Sequence, residues 1–197
     1  MKTLCMDTSH RYLVLVLIED HEVKASYMKE AWKQQSETIF PELLNILSKA
    51  QWDIHELDRI VITAGPGSYT GLRITMTIAK VLCTQLHKDL YTVSTLLLYG
   101  GIEDTSVILD ARSKRVYYGK VKHGKVLEEC IKEIDALDLE ENYVGDVGLI
   151  HQSKPIPDFV DHFLALEPYY EKVDHPHTLV PHYLKKASDY EVKKHDA

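Results

Sequence analysis

The chain has 197 residues, of which 45% are apolar and 27% are charged, and its formal net charge is −7. This composition is ordinary for a soluble globular protein, and no apolar run approaches the ~20 residues that a membrane-spanning helix needs. The negative charge argues against a self-sufficient tRNA-binding protein, because phosphate recognition needs a basic surface. Contact with nucleic acid would require a basic partner or the Lys185-Lys186 and Lys193-Lys194 pairs, which are otherwise a solvated tail.

The first residues and the cysteines both predict a cytoplasmic protein. The segment from Met1 to Asp7 reaches an acidic residue too early to serve as a secretory signal. Cys5, Cys83 and Cys130 are odd in number and far apart, so they make neither a disulfide framework nor a CxxC metal pair. We expect small buried thiols in a reducing compartment.

Three short strands and a helix are predicted in the first fifty residues. The strands are residues 2–6, 12–18 and 23–28, which are typical of an antiparallel meander. The first strand delivers Asp7-Thr8-Ser9 to its end, and from Ser36 the apolar period changes to that of a helix. One stripe of this helix contains Ile39, Leu43, Ile46 and Ala50, and a neighbouring stripe contains Phe40, Leu44 and Leu47.

A glycine-rich loop, residues 65–73, follows a short helical turn at 53–57 and an apolar strand at 59–64. Its distinctive residues are Gly65, Pro66, Gly67, Ser68, Thr70, Gly71 and Arg73. Glycines permit backbone angles closed to other residues, and Ser68 or Thr70 can cap the helix that follows. Such a loop can hold an anion at the positive end of a helix dipole, or it can be a plain tight turn. It matches neither a Walker loop nor Gly-x-Gly-x-x-Gly.

The helix that follows this loop, up to about Leu86, has two apolar faces. One face contains Leu72, Met76, Ala79, Cys83 and Leu86, and the roughly opposite face contains Ile74, Ile78 and Val81. A surface helix of a monomer needs only one apolar stripe. Either both faces are covered within the fold, or the second face meets another protein.

The second half of the chain repeats the outline of the first. Gly100-Gly101 marks the predicted boundary between a lobe of residues 1–101 and a lobe of residues 102–197. Beyond a strand at 90–93 and a short helix at 94–99, the predicted elements are strands at 106–109, 116–122, 126–134 and 143–146 and a helix at 158–166. Two lobes of about five strands each, both with an aspartate after the first strand, are typical of folds that bind nucleotides between lobes.

Two candidate polar sites have competing interpretations. Asp7 and Asp110 can face each other across the cleft and position Mg²⁺, or their carboxylates can accept local turn hydrogen bonds, which is the interpretation we favour. His175, His177 and His182 can be assembled into a metal site, but Pro176 imposes an extended geometry and no acid or cysteine completes the set. We therefore predict no metal.

Three motifs resemble the bacterial TsaB (YeaZ-like) family of tRNA threonylcarbamoyladenosine biosynthesis proteins, within the TsaD/Kae/glycoprotease-like group. They are Leu4-Cys5-Met6-Asp7-Thr8-Ser9, the glycine loop with Ala79-Lys80 behind it, and Leu109-Asp110-Ala111-Arg112 with Val116-Tyr117. Residues 180–185 resemble the family's C-terminal Pro-x-Tyr-Leu-Arg. The resemblance implies an α/β, two-lobed, actin-like (ASKHA, ribonuclease-H-like) fold, in which each lobe is a mixed sheet with flanking helices and the second lobe is shortened.

The resemblance also implies a role and partners. Members of the family are non-catalytic scaffold subunits that activate the catalytic subunit TsaD. With the ATPase TsaE, TsaD transfers threonylcarbamoyl to the adenosine beside the anticodon of tRNAs that read codons beginning with A. The expectations are pairing with a TsaD-like subunit, a homodimer when alone, contact with TsaE and tRNA only through the complex, and no contact with membranes.

The implied sites lie in the first lobe and at the lobe boundary. The implied partner interface consists of Ile39, Leu43, Ile46, Ile74, Ile78, Val81 and Gln85. The implied vestigial phosphate loops consist of Asp7, Thr8, Ser9, Gly65, Gly67, Ser68, Thr70, Gly71, Arg73, Asp110 and Arg112. No cofactor is implied, beyond weak nucleotide binding at an interface with partners. The related catalytic subunit has two metal-binding histidines one helical turn apart, where this chain has Thr95 and Tyr99. The rival hypothesis is a small ATPase or phosphotransferase that uses Asp7, the glycine loop and Asp110.

Overall fold

The computed structural model describes residues 1–185, which fold around two β-sheets. Lys186 and the Lys193-Lys194 pair, which the sequence offered for contact with nucleic acid, lie outside the described residues. No helix within residues 1–185 has the length and apolarity needed to cross a bilayer.

A six-stranded mixed sheet forms the centre of the first lobe. Its strands are β1 (Lys2–Asp7), β2 (Tyr12–Glu19), β3 (Glu22–Glu30), β4 (Arg59–Thr63), β5 (Asp89–Val93) and β10 (Glu171–Lys172), in the order β10-β5-β4-β1-β2-β3. The predicted meander of β1, β2 and β3 is confirmed. Because β1, β4 and β5 are parallel to one another, their carboxyl ends lie at one edge of the sheet.

A four-stranded sheet forms the second lobe. Its strands are β6 (Thr105–Asp110), β7 (Arg115–Lys122), β8 (Lys125–Glu133) and β9 (Tyr143–Gly145), in the order β8-β7-β6-β9. Among the described residues the sheets thus have six and four strands, where about five in each were expected. The second half of the chain contributes its last strand, β10, to the first sheet, where β10 pairs with β5.

Within residues 1–185 four α-helices flank the sheets: α1 (Gln35–Ala50), α2 (Tyr69–Leu86), α3 (Thr95–Gly100) and α4 (Phe159–Ala165). Side chains alternate along β1, so that Leu4 and Met6 pack with α1 and α2 while Cys5 packs on the opposite face with α3, α4 and the second sheet. One apolar core therefore lies beneath α1 and α2, and another lies between the lobes. The predicted α/β fold with two mixed sheets and flanking helices is confirmed.

Candidate functional site: the glycine loop and the helix-pair surface

The glycine loop connects β4 to α2 at the carboxyl edge of the first sheet. Ser68, and not Thr70, is the N-cap of α2, because its side chain accepts a hydrogen bond from the backbone N–H of Gly71 at 3.3 Å. The backbone N–H of Ser68 donates to the carbonyl of Ser9 at 2.7 Å. Under the anion hypothesis this N–H would bind phosphate, but here it is hydrogen-bonded within the chain.

The three glycines of this loop allow two segments of backbone, residues 8–9 and His182, to touch it. A Cβ at Gly67 would collide with the carbonyl oxygen of Ser9, and a Cβ at Gly71 would collide with that of Thr8. Gly65, at φ +122°, packs in the same way against the carbonyl of His182. The glycines therefore make room for protein backbone, which fills the space where the loop was expected to cradle an anion.

Asp7 is completely buried behind the loop, and its hydrogen bonds are local. Its Oδ1 accepts from the Thr63 hydroxyl and from the backbone N–H of Ser9, the latter at 2.9 Å. The other carboxylate oxygen has no hydrogen-bond partner within residues 1–185. Burial raises the pKa of Asp7 above its ordinary value, because removal from water disfavours the charged form. The adjacent Thr8 hydroxyl donates to the carbonyl of Gly71 at 2.6 Å.

Asp110 stabilises the turn after β6. Its Oδ1 accepts from the backbone N–H of Arg112 at 2.7 Å, and its Oδ2 lies 2.9 Å from the Arg112 guanidinium. Turn chemistry therefore occupies both oxygens of Asp110 and one of Asp7, as the favoured interpretation has it.

Asp146, which the sequence showed only as the residue after a strand, joins the two lobes. It follows β9 and accepts from His10 Nε2 at 2.7 Å, from Arg11 Nη2 at 2.8 Å and from the backbone N–H of Asp110 at 2.7 Å. Desolvation acts to raise the pKa of Asp146, but these donors outweigh it and the pKa is lowered. An aspartate directly after a strand, as at Asp7 and Asp110, was the signal available in the sequence.

The surface of α1 and α2 differs from the predicted interface. Ile39, Leu43 and Ile46 are at most 2% exposed and belong to the core beneath the helices, so their assignment to a partner interface is wrong. Ile78 is 9% exposed and also packs in that core, with Ile74 partly buried against it. Of the predicted set, only Val81 and Gln85 are exposed.

Two members of the neighbouring stripe of α1, Phe40 and Leu44, face outward instead, while the third, Leu47, is buried in the core. Phe40 and Leu44, one turn apart, are 52% and 66% exposed, and Val81 on α2 is 55% exposed. Between the helices lies an open groove of about 390 Å³, lined by Ser36, Phe40, Tyr69, Thr70, Arg73, Ile74, Thr77 and Ile78. We call these lining residues, together with Leu44 and Val81, the helix-pair surface. It is the exposed apolar region that two helix faces share.

The sequence model of the family described as "TsaD: tRNA N6-adenosine threonylcarbamoyltransferase" matches residues 24–142, which is more than half of the chain. The chain belongs to this family. Within it the chain is a TsaB/YeaZ-like member, as its motifs predicted.

Two curated relatives are named "tRNA threonylcarbamoyladenosine biosynthesis protein TsaB". The protein from Bacillus subtilis is 35% identical over 140 residues, which cover 68% of this chain and 61% of the relative. The protein from Escherichia coli is 25% identical over 146 residues, which cover 67% and 63%. The match thus spans about three fifths of each relative's length. The structure titled "YeaZ from Pseudomonas aeruginosa" has a TM-score of 0.75 at 20% identity and covers 93% of this chain and 99% of that one, so the fold is shared.

Thr95 and Tyr99 stand where the resemblance places two metal-binding histidines in the related catalytic subunit. Thr95 and Tyr99 lie on the same side of α3, and both hydroxyls are buried without a partner in the described part of the chain. No cluster of His, Cys, Asp or Glu among residues 1–185 is arranged to hold a metal ion. His182, one of the three histidines considered for a metal, pairs with Glu129 at 2.6 Å.

A cleft of about 750 Å³ opens between the lobes, but it does not unite the residues of the phosphotransferase hypothesis. It is lined by residues 64–65, 92–94, 97, 124–129, 168–171 and 182. Of the vestigial-loop residues only Gly65 contributes to it, while Asp7 and Asp110 do not.

Proposed function

We propose that the chain acts in tRNA threonylcarbamoyladenosine biosynthesis as a non-catalytic subunit that pairs with a TsaD-like catalytic subunit through the helix-pair surface. The observation that carries this proposal is the outward stripe of Phe40, Leu44 and Val81 beside an apolar groove. Large apolar side chains clustered on adjacent helices are a feature of protein interfaces. The names of the curated relatives supply the pathway.

The filled glycine loop supports a non-catalytic role. Backbone carbonyls lie against Gly65, Gly67 and Gly71, and the carboxylate of Asp110 is held by Arg112. In addition, the backbone N–H of Ser68 already donates to the carbonyl of Ser9, so it is not available to a nucleotide phosphate. In this proposal tRNA and a TsaE-like ATPase are engaged only within the complex, in the cytoplasm, and the chain self-associates through the same surface when alone.

The test is a pull-down with the catalytic threonylcarbamoyltransferase subunit of the same genome. We expect Phe40→Asp combined with Leu44→Asp to abolish co-purification, because two carboxylates would be buried unpaired at the interface. The matched control is Leu139→Asp, since Leu139 is 60% exposed on the second lobe. The circular dichroism spectrum and the unfolding midpoint should be the same in all variants as in the wild type, which shows that each variant is folded. Retention of the doubly substituted chain at wild-type level would refute the proposed surface.

A second measurement addresses the absence of catalysis. Titration of the purified chain with Mg-ATP should give no turnover. Stoichiometric binding with hydrolysis that disappears in Asp7→Asn would favour the phosphotransferase hypothesis instead.

A further inference from the structure

The last described segment, residues 175–185, follows β10 and runs along α2. We call it the C-terminal strap. The Lys80 ammonium on α2 donates to the carbonyls of His177 and Leu179 at 3.2 and 2.6 Å. Further along, the backbone N–H of His182 donates to the carbonyl of Ala64 at 2.7 Å. These bonds fix the strap to α2 and to the start of the glycine loop.

The strap ends in an aromatic contact at the edge of the helix-pair surface. The ring of Tyr183 stacks on that of Tyr69, with centroids 5.3 Å apart and planes inclined by 21°. Arg73 Nε donates to the Tyr183 hydroxyl at 3.0 Å, and the Arg73 guanidinium carbon lies 4.1 Å from the Tyr69 ring centroid. Tyr183 therefore contacts two residues that line the groove between α1 and α2.

These contacts restrict an arginine that would otherwise move freely. Arg73 is exposed, and an exposed arginine samples many rotamers in water. Its stacking on Tyr69 and its bond to Tyr183 hold the guanidinium in one place. A cation held in advance in its binding geometry loses less conformational entropy when it binds.

Arg73 also sets the charge of the groove. It is the one charged side chain among the lining residues, and Phe40, Ile74 and Ile78 supply most of the apolar wall. A complementary partner therefore presents apolar side chains to the groove and a carboxylate to its arginine.

We propose that Tyr183 of the C-terminal strap is a positioning residue of the partner surface. It orients Tyr69 and Arg73, and the oriented Arg73 binds a carboxylate on an apolar surface of the catalytic subunit. This inference rests on the proposed function and extends the partner surface to a residue 110 positions from Arg73 in the sequence.

The test measures the affinity of the full chain for the catalytic subunit by calorimetry. We expect Tyr183→Ala to weaken binding about tenfold, as removal of a tyrosine that supports an interface does. Tyr183→Phe keeps the stacking and loses the bond to Arg73, so we expect a loss of about threefold. The loss in Tyr183→Phe should be accompanied by a weaker dependence of Kd on salt. In an Arg73→Met background Tyr183→Phe should have no further effect, because the contact it breaks is already gone.

Tyr91→Phe is the matched control, since Tyr91 lies 5.5 Å from the guanidinium carbon of Arg59 in a similar pair away from the groove. Phe40→Asp in the same titration reports on the proposed function. If Phe40→Asp abolishes binding while a folded Tyr183→Ala binds like wild type, the strap inference is wrong and the surface stands. If Phe40→Asp binds like wild type, the surface itself is wrong, and the strap inference fails with it.

Discussion

The glycine loop and the helix-pair surface are both built on α2, one before its first turn and the other along its outer side. Backbone segments fill the loop so closely that a Cβ at Gly71 would collide with Thr8. The helix-pair surface, in contrast, leaves Phe40 and Leu44 about half exposed or more. The comparison shows that a loop with the composition of a phosphate-binding loop can instead pack on neighbouring backbone and fix the position of the helix that follows it. The exposed apolar surface lies on that helix, α2, and on the neighbouring α1.

The largest expected effect is on protein stability, from a substitution in the glycine loop. Gly71→Ala should lower the free energy of unfolding by about 3 kcal/mol, because the new methyl group collides with backbone that cannot move aside. Urea unfolding followed by circular dichroism measures this loss.

Gly148→Ala is the control for that loss, since a Cβ at Gly148 meets nothing within 4 Å. Its free energy of unfolding should stay within about 0.5 kcal/mol of wild type. Equal stability of the Gly71 and Gly148 variants would mean that the loop is open, which would restore the anion hypothesis.

The sequence predicted the positions of strands and helices better than it predicted which face of each helix is buried. Strand and helix positions follow from local periodicity, and Ser68 was one of the two capping residues that the sequence offered for α2. On α1, however, the stripes of Ile39 and Phe40 are adjacent and both apolar. Only packing on the sheet decides that Ile39 is buried and Phe40 is exposed.

Contacts between distant segments were also beyond the sequence. The two residues of β10 carry no strand pattern of their own, and they form a strand because the edge of β5 is available to them. The bond between Arg73 and Tyr183 joins residues 110 positions apart. Neither periodicity nor a local motif records such a pairing, although the resemblance of residues 180–185 to a family motif marked that segment as notable.

A smaller effect is expected at the junction of the lobes. Asp146→Asn should cost about 2 kcal/mol near neutral pH, because hydrogen bonds from His10 and Arg11 lose their charged acceptor. The pKa of Asp146 is lowered in the folded protein. Its contribution is therefore present above the unfolded pKa of about 3.9 and is lost as pH falls through the folded value.

Urea unfolding of the wild type and the Asp146→Asn variant across acid pH tests this contribution. Their free energies of unfolding should converge as the pH falls. A constant difference over that range would show that the carboxylate charge does not hold the lobes together.

The smallest expected effect is a pH dependence of opposite sign at Asp7. Burial raises its pKa in the folded protein, so the folded state holds this proton more tightly than the unfolded state does. The contribution of Asp7 is fully present below the unfolded pKa of about 3.9 and declines as pH rises through the folded value. Asp7→Asn removes the titration but retains an oxygen that can accept from Thr63 and Ser9.

The stability of wild type minus that of Asp7→Asn should therefore fall with rising pH, whereas the corresponding difference for Asp146→Asn should grow. Measuring both variants in the same buffers makes each the control for the other. If the Asp7 difference instead grew with pH, the carboxylate would be stabilised in its charged form. The region behind the glycine loop would then be a place for a cation, and the contrast between a closed loop and an open helix surface would no longer hold.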